Sequence, residues 1–183
     1  MARFEFNFDD LSSDLKNMLG RGGDTKKTGG RGQHPEECLT LDDFVAEAIR
    51  TGFKLKDVRR DEDGDIPIGY GSTVVFVRPH EEDSPYLYVW ALLLREFDLS
   101  PAVYEAINAI NNEIPFARVV LNEDPRLITL EAWLLVDSLS RDEVMFAVEF
   151  VGDAADHFDT LLQQRFGGYL ADEDDDDDGT VEF

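Results

Sequence analysis

The stretch YLYVWALLLREF, Tyr86–Phe97, decides the fold. Successive side chains of a strand point to opposite faces. One face then carries Tyr86, Tyr88, Trp90, Leu92 and Leu94, and the other Leu87, Val89, Ala91 and Leu93. Both faces are apolar, and they differ in kind, one aromatic and the other purely aliphatic.

Moving toward the N-terminus, the same period of two runs through STVVFVRP, IPIGYG and FKLKDVRR, with the DEDGD turn and the HEEDSP connection as breaks. This predicts a meander of three or four antiparallel strands. Ahead of it, Thr40 is placed to cap a helix with Asp43 in its first turn, and Leu41, Phe44, Val45, Ala48 and Ile49 form its apolar face up to Gly52. Moving toward the C-terminus, Ser100 and Pro101 start a second helix, the serine expected to accept a free N–H, with Val103, Ile107, Ile110 and Ile114 as its buried face. Two strands follow, FARVVLN and RLITLEAWLLV, around the turn NEDP. Ser140 and Glu143 form a capping box for a long helix that ends at Gly167-Gly168. Strands joined by tight turns are antiparallel, and helices at these points cover one face of their sheet. The predicted class is α+β, with an antiparallel sheet of about five strands and helices packed on it. The order is helix, three or four strands, helix, two strands, helix.

The strand LITLEAWLLV divides in the same way, into Ile128, Leu130, Ala132 and Leu134 against Leu127, Thr129, Glu131, Trp133 and Leu135. With the aliphatic sets facing the helices, the second face gathers Tyr86, Tyr88, Trp90 and Trp133. That mixture has the composition of a binding or dimer face. Its cover is a client peptide, an identical subunit, or a segment of the same chain. The four aromatic residues are the candidate partner-binding site.

The chain has 183 residues, 43% hydrophobic and 11% aromatic, enough for one domain with a substantial core. Its net charge of −23 disfavours nucleic acid and anionic membrane as partners, because like charges would meet without counterion release. The single Cys38 cannot form an internal disulfide, and no apolar run approaches the roughly 20 residues of a spanning helix. The expected location is cytoplasmic. Three regions are expected. Residues 1–38 form a leader with Phe4, Phe6 and Phe8 in alternation and a Gly-rich linker behind them, read either as a disordered leader or as a docking segment. Residues 39–169 form the α+β domain, and residues 170–183 an acidic tail that repels itself into disorder.

RRDEDGDIPIGYG, Arg59–Gly71, suggests a calcium loop and fails the spacing. Counting from Asp61 puts Ile66 where the glycine belongs and Ser72 where the bidentate glutamate belongs; counting from Arg59 puts a cation in the first ligand position. The expected role is a hairpin turn. His34 and Cys38 lack further ligands of metal-site spacing, and His157 between Asp156 and Asp159 reads as a solvated helix face. No nucleophile motif or phosphate loop occurs. The expectation is a non-enzyme with no catalytic residues, no metal and no cofactor.

DVRRDEDGDIPIGYGSTVVFVRP, followed by AVYEAINAINNEIPFARVVLNEDPRLITLEAWLL, resembles the YbjN family, which is similar in turn to type III secretion chaperones. The likeness covers Thr40 to Gly167 and includes the paired asparagines Asn108 and Asn111 ahead of FARVVL. It implies a chaperone-like α+β fold, dimerisation, and binding of protein or peptide clients rather than catalysis. Members are also described as sensory-transduction regulators, and a regulatory module autoinhibited by its own leader is the rival reading.

Overall fold

The computed structural model describes residues 40–79 and 85–171. The expectations for residues 1–38 and for the tail beyond residue 171 lie outside these. Helix α1, Leu41–Gly52, starts as expected, with the Thr40 side chain accepting from the Asp43 N–H at 3.1 Å. Three strands follow, β1 (Ile66–Tyr70), β2 (Thr73–Arg78) and β3 (Tyr86–Arg95). Helix α2 spans Pro101–Glu113, strands β4 and β5 span Arg118–Glu123 and Arg126–Leu135, and helix α3 spans Arg141–Phe166. The reciprocal Ser140–Glu143 capping box opens α3. The five strands form one antiparallel sheet in the order β1-β2-β3-β5-β4, which settles the meander at three strands.

The aliphatic sets lie against the helices. Val75, Val77, Leu87, Val89, Ala91, Leu93, Ile128 and Leu130 are fully buried. Opposite them α3 contributes Val144, Val148, Val151, Ala155 and Phe158, also fully buried. At 26 residues α3 is about 39 Å long, enough to cross β1, β2, β3 and β5, while α1 packs on α3 and α2 on β4. One core results, on one side of the sheet. Leu170 belongs to it, because Tyr169 pairs with Arg95 through backbone bonds of 2.9 and 3.0 Å and so turns the chain back onto β3.

Several local expectations are corrected. Phe53–Arg60 forms no strand: Lys54 turns the backbone to φ +54°, and Leu55 is exposed. DEDGD is no hairpin turn. Asp61 Oδ1 accepts from the N–H groups of Asp63 and Asp65 at 3.0 and 2.8 Å, so an Asx turn leads the chain into β1. The hairpin turn is Gly71-Ser72, with Gly71 at φ +57°, flanked by the Tyr70–Thr73 pair. Ser100 sits at the N-cap of α2, but its side chain makes no capping bond. Leu94 is not on the aromatic face, because the register shifts between Leu92 and Leu94 and both Leu93 and Leu94 face the core.

The tip of the β1–β2 hairpin is clamped onto α3. The Tyr70 ring lies over Gly152, where an added Cβ would sit 2.5 Å from Cγ of the ring, and its hydroxyl donates to Asp153 at 2.8 Å. Ser72 donates through its N–H and Oγ to Asp156 at 2.6 and 2.8 Å, and through Oγ to Asp159 at 3.1 Å. Asp159 is buried, so the expected solvated face beside His157 is in part an internal polar clamp.

Candidate functional site

The other side of the sheet brings the four predicted residues together. The register sets Phe76 beside Trp90 and Tyr88 beside Trp133, with Tyr86 opposite Leu135. Cross-strand neighbours on one face lie close enough for their rings to meet. The Phe76 and Trp90 rings stack at 4.5 Å, Trp90 and Tyr88 lie at 6.4 Å, Tyr88 and Trp133 at 4.3 Å, and Trp133 meets Tyr86 edge-on at 6.2 Å. This ladder crosses β2, β3 and β5 and opens at one end. Trp133 is 47% exposed, Tyr86 43% and Leu135 60%.

Roughly half of a tryptophan's ~250 Å², at ~25 cal/mol/Å², is about 3 kcal/mol of gross apolar driving force left unused at Trp133 alone. The ladder is also built not to collapse. Stacked rings hold one another upright, and two ion pairs fix its flanks.

At one flank is Asp65, which is 1% exposed. Its carboxylate accepts both arms of the Arg78 guanidinium, at 2.7 and 2.8 Å, and the Trp90 indole N–H at 3.3 Å. A fork of this kind fixes orientation as well as charge. The Arg78 guanidinium in turn lies 6.0 Å from the centre of the Tyr88 ring. At the other flank Glu131, opposite Trp90 in the register, accepts from Thr129 Oγ1 at 3.1 Å and pairs with Arg118 at 3.4 Å. Burial first, and then the neighbouring Glu131 carboxylate, push the Tyr88 hydroxyl well above its ordinary range, so it stays a neutral donor. Asp65 and Glu131 are therefore each paired with an arginine at the flanks of the ladder, on a chain of net charge −23.

Residue-type reasoning missed Asp65, Arg78 and Glu131, whose roles depend on cross-strand register. It also left the role of Asn111 open. The Asn111 side chain donates to the Val119 carbonyl at 3.0 Å and accepts from the Val119 N–H at 2.6 Å, closing the backbone of edge strand β4 as a pairing strand would. Among the described residues no group of three or more His, Cys, Asp or Glu is placed to hold a metal. Nor, among them, is any helix long and apolar enough to cross a membrane.

Comparison with known proteins follows this geometry. The family model TY-Chap1, described as T3SS (YopN, CesT) and YbjN peptide-binding chaperone 1, matches residues 40–174. The chain belongs to this family. The match bears out the resemblance to YbjN and to secretion chaperones, and it begins where α1 is capped. Two solved structures share the TY-Chap1 chain's fold. One is a chain of the HopA1–SchA chaperone–effector complex, at TM-score 0.53 and 10% identity, covering 66% of this chain and 94% of that one. The other comes from the ExsC–ExsE complex, at TM-score 0.53 and 16% identity, covering 67% and 92%. At these identities the likeness is one of fold. No curated protein matches the TY-Chap1 chain.

Proposed function

We propose that this peptide-binding chaperone receives its client on the aromatic face, with Tyr86, Tyr88, Trp90 and Trp133 as anchors, and that it works by binding alone, in the cytoplasm, without catalysis. The observation that carries the reading is the ladder itself, an aromatic strip that the described residues leave partly exposed on one side of a sheet whose other side holds their core. Aromatic anchors in fixed orientations dominate interface energies and lose little entropy on binding. The chain's net charge of −23 favours a client with an apolar segment between basic flanks. A second copy of the chain is the other occupant this surface would accept, and it would make a homodimer.

The test is to pan a displayed library of random 12-residue peptides on the full chain and measure the selected peptides by fluorescence polarisation. Removing two anchors, with Tyr86→Ala and Trp133→Ala, is expected to weaken them at least about thirtyfold, the ~2 kcal/mol of a single anchor residue. Both side chains are more than two-fifths exposed, and circular dichroism on the same samples checks that the double variant is folded at the assay temperature. Undiminished affinity in the double variant refutes the assignment. Light scattering on the same samples reads the second copy, as a dimer that the two substitutions dissolve.

A further inference from the structure

Residues 4–8 read Phe-Glu-Phe-Asn-Phe, three phenylalanines on alternate positions outside the described residues. We propose that Phe4, Phe6 and Phe8 dock on the aromatic face of their own chain and compete there with the client, an inference that rests on reading that face as the docking surface.

Two features support this occupant. In an extended segment the alternation puts all three rings on one side, which matches a strip whose own rings stand in a row from Phe76 to Tyr86. The tether is also long enough. About 30 residues lie between Phe8 and Thr40, and a chain of that length and glycine content spans about 30 Å on average. A domain of about 130 residues has a radius of gyration of about 14 Å, so the span is comparable to the diameter of the domain. At that linker length the local concentration of the segment is in the millimolar range, so even weak docking is populated. Occupancy of nine tenths weakens the apparent client affinity about tenfold.

Both tryptophans of the chain, Trp90 and Trp133, lie on the face, and the segment contains none. The experiment therefore compares the full chain with its Phe4→Ser, Phe6→Ser, Phe8→Ser variant by acrylamide quenching of tryptophan emission. Shielding in the wild type is expected, with a quenching constant about twofold higher in the variant as one of the two indoles opens, and about tenfold tighter binding of a library-selected peptide. Equal quenching with Trp133 accessible in both proteins overturns the proposal. So does equal shielding that fades on dilution, which assigns the cover to a second copy. Peptide binding that is lost in the Trp133→Ala, Tyr86→Ala chain yet unchanged by the phenylalanine substitutions sinks the leader alone and leaves the face intact.

Discussion

Gly152→Ala separates packing from propensity, because the two predict opposite signs. Gly152 lies inside α3, where replacing glycine by alanine ordinarily stabilises a helix by about 0.8–1 kcal/mol. Here the new Cβ would lie 2.5, 2.6 and 2.7 Å from Cγ, Cδ1 and Cδ2 of Tyr70, well inside van der Waals contact. These are ring atoms next to the backbone of a strand paired with Thr73, so no flexible end can bend away. Overpacking of this kind costs about 1–3 kcal/mol. Displacing the ring also strains the Tyr70–Asp153 hydrogen bond, about 1 kcal/mol for a partly exposed pair. With the propensity gain subtracted, the net loss is about 2 kcal/mol. For a domain of this size that is a fall of about 8 °C in melting temperature, read by circular dichroism at 222 nm.

The control is the same substitution in a Tyr70→Ala background. With the ring gone only the propensity remains, and Gly152→Ala should then raise the melting temperature by about 3–4 °C. A rise in the Tyr70-containing chain, or the same fall in both backgrounds, refutes the account of the clamp.

Three further outcomes are expected. Gly71→Ala should destabilise by about 1–3 kcal/mol in urea titration, since Gly71 holds φ +57° and its added Cβ would collide with Asp156 Oδ1. Asp65→Ala leaves Arg78 and the Trp90 indole N–H without their shared acceptor; because the Arg78 side chain is 39% exposed, the loss should fall below the 3–5 kcal/mol of a fully buried pair, at about 2 kcal/mol, together with an altered tryptophan emission maximum. Asp159 supplies a pH test: burial raises its pKa, with the neighbouring Asp156 acting in the same direction, so the folded state holds its proton more tightly than the unfolded chain. Its contribution to stability is then fully present below the unfolded value near 3.9 and lost as pH rises through the folded value. The difference between wild type and Asp159→Asn should therefore shift in favour of the variant from about pH 4 to pH 7, and a flat difference refutes the assignment.

What was legible in the sequence was what depends on spacing along one strand. Alternation in Tyr86–Phe97 and in LITLEAWLLV separated an aliphatic from an aromatic face, and the structure assembles Tyr86, Tyr88, Trp90 and Trp133 on the latter. Alternation fails where the backbone departs from it, as at the irregularity between Leu92 and Leu94, which no residue type announces. It also fails at Phe53–Arg60, where a period of two was present without a partner strand to pair with. The most consequential miss was the turn. With DEDGD taken as the hairpin, Asp65 is merely one more turn acid. With Gly71-Ser72 as a two-residue turn, counting outward pairs Tyr70 with Thr73, Ile68 with Val75 and Ile66 with Val77. The next step brings Asp65 opposite Arg78. The clasp that holds Trp90 was thus within reach of arithmetic on the sequence, provided Gly71 rather than Gly64 was chosen as the turn, and a positive φ does not separate the two, since both glycines have one. DEDGD also suits the Asx turn observed at Asp61, whose side chain accepts from Asp63 and Asp65, so the same letters fitted two structures. Only the register, a long-range property, decides between them.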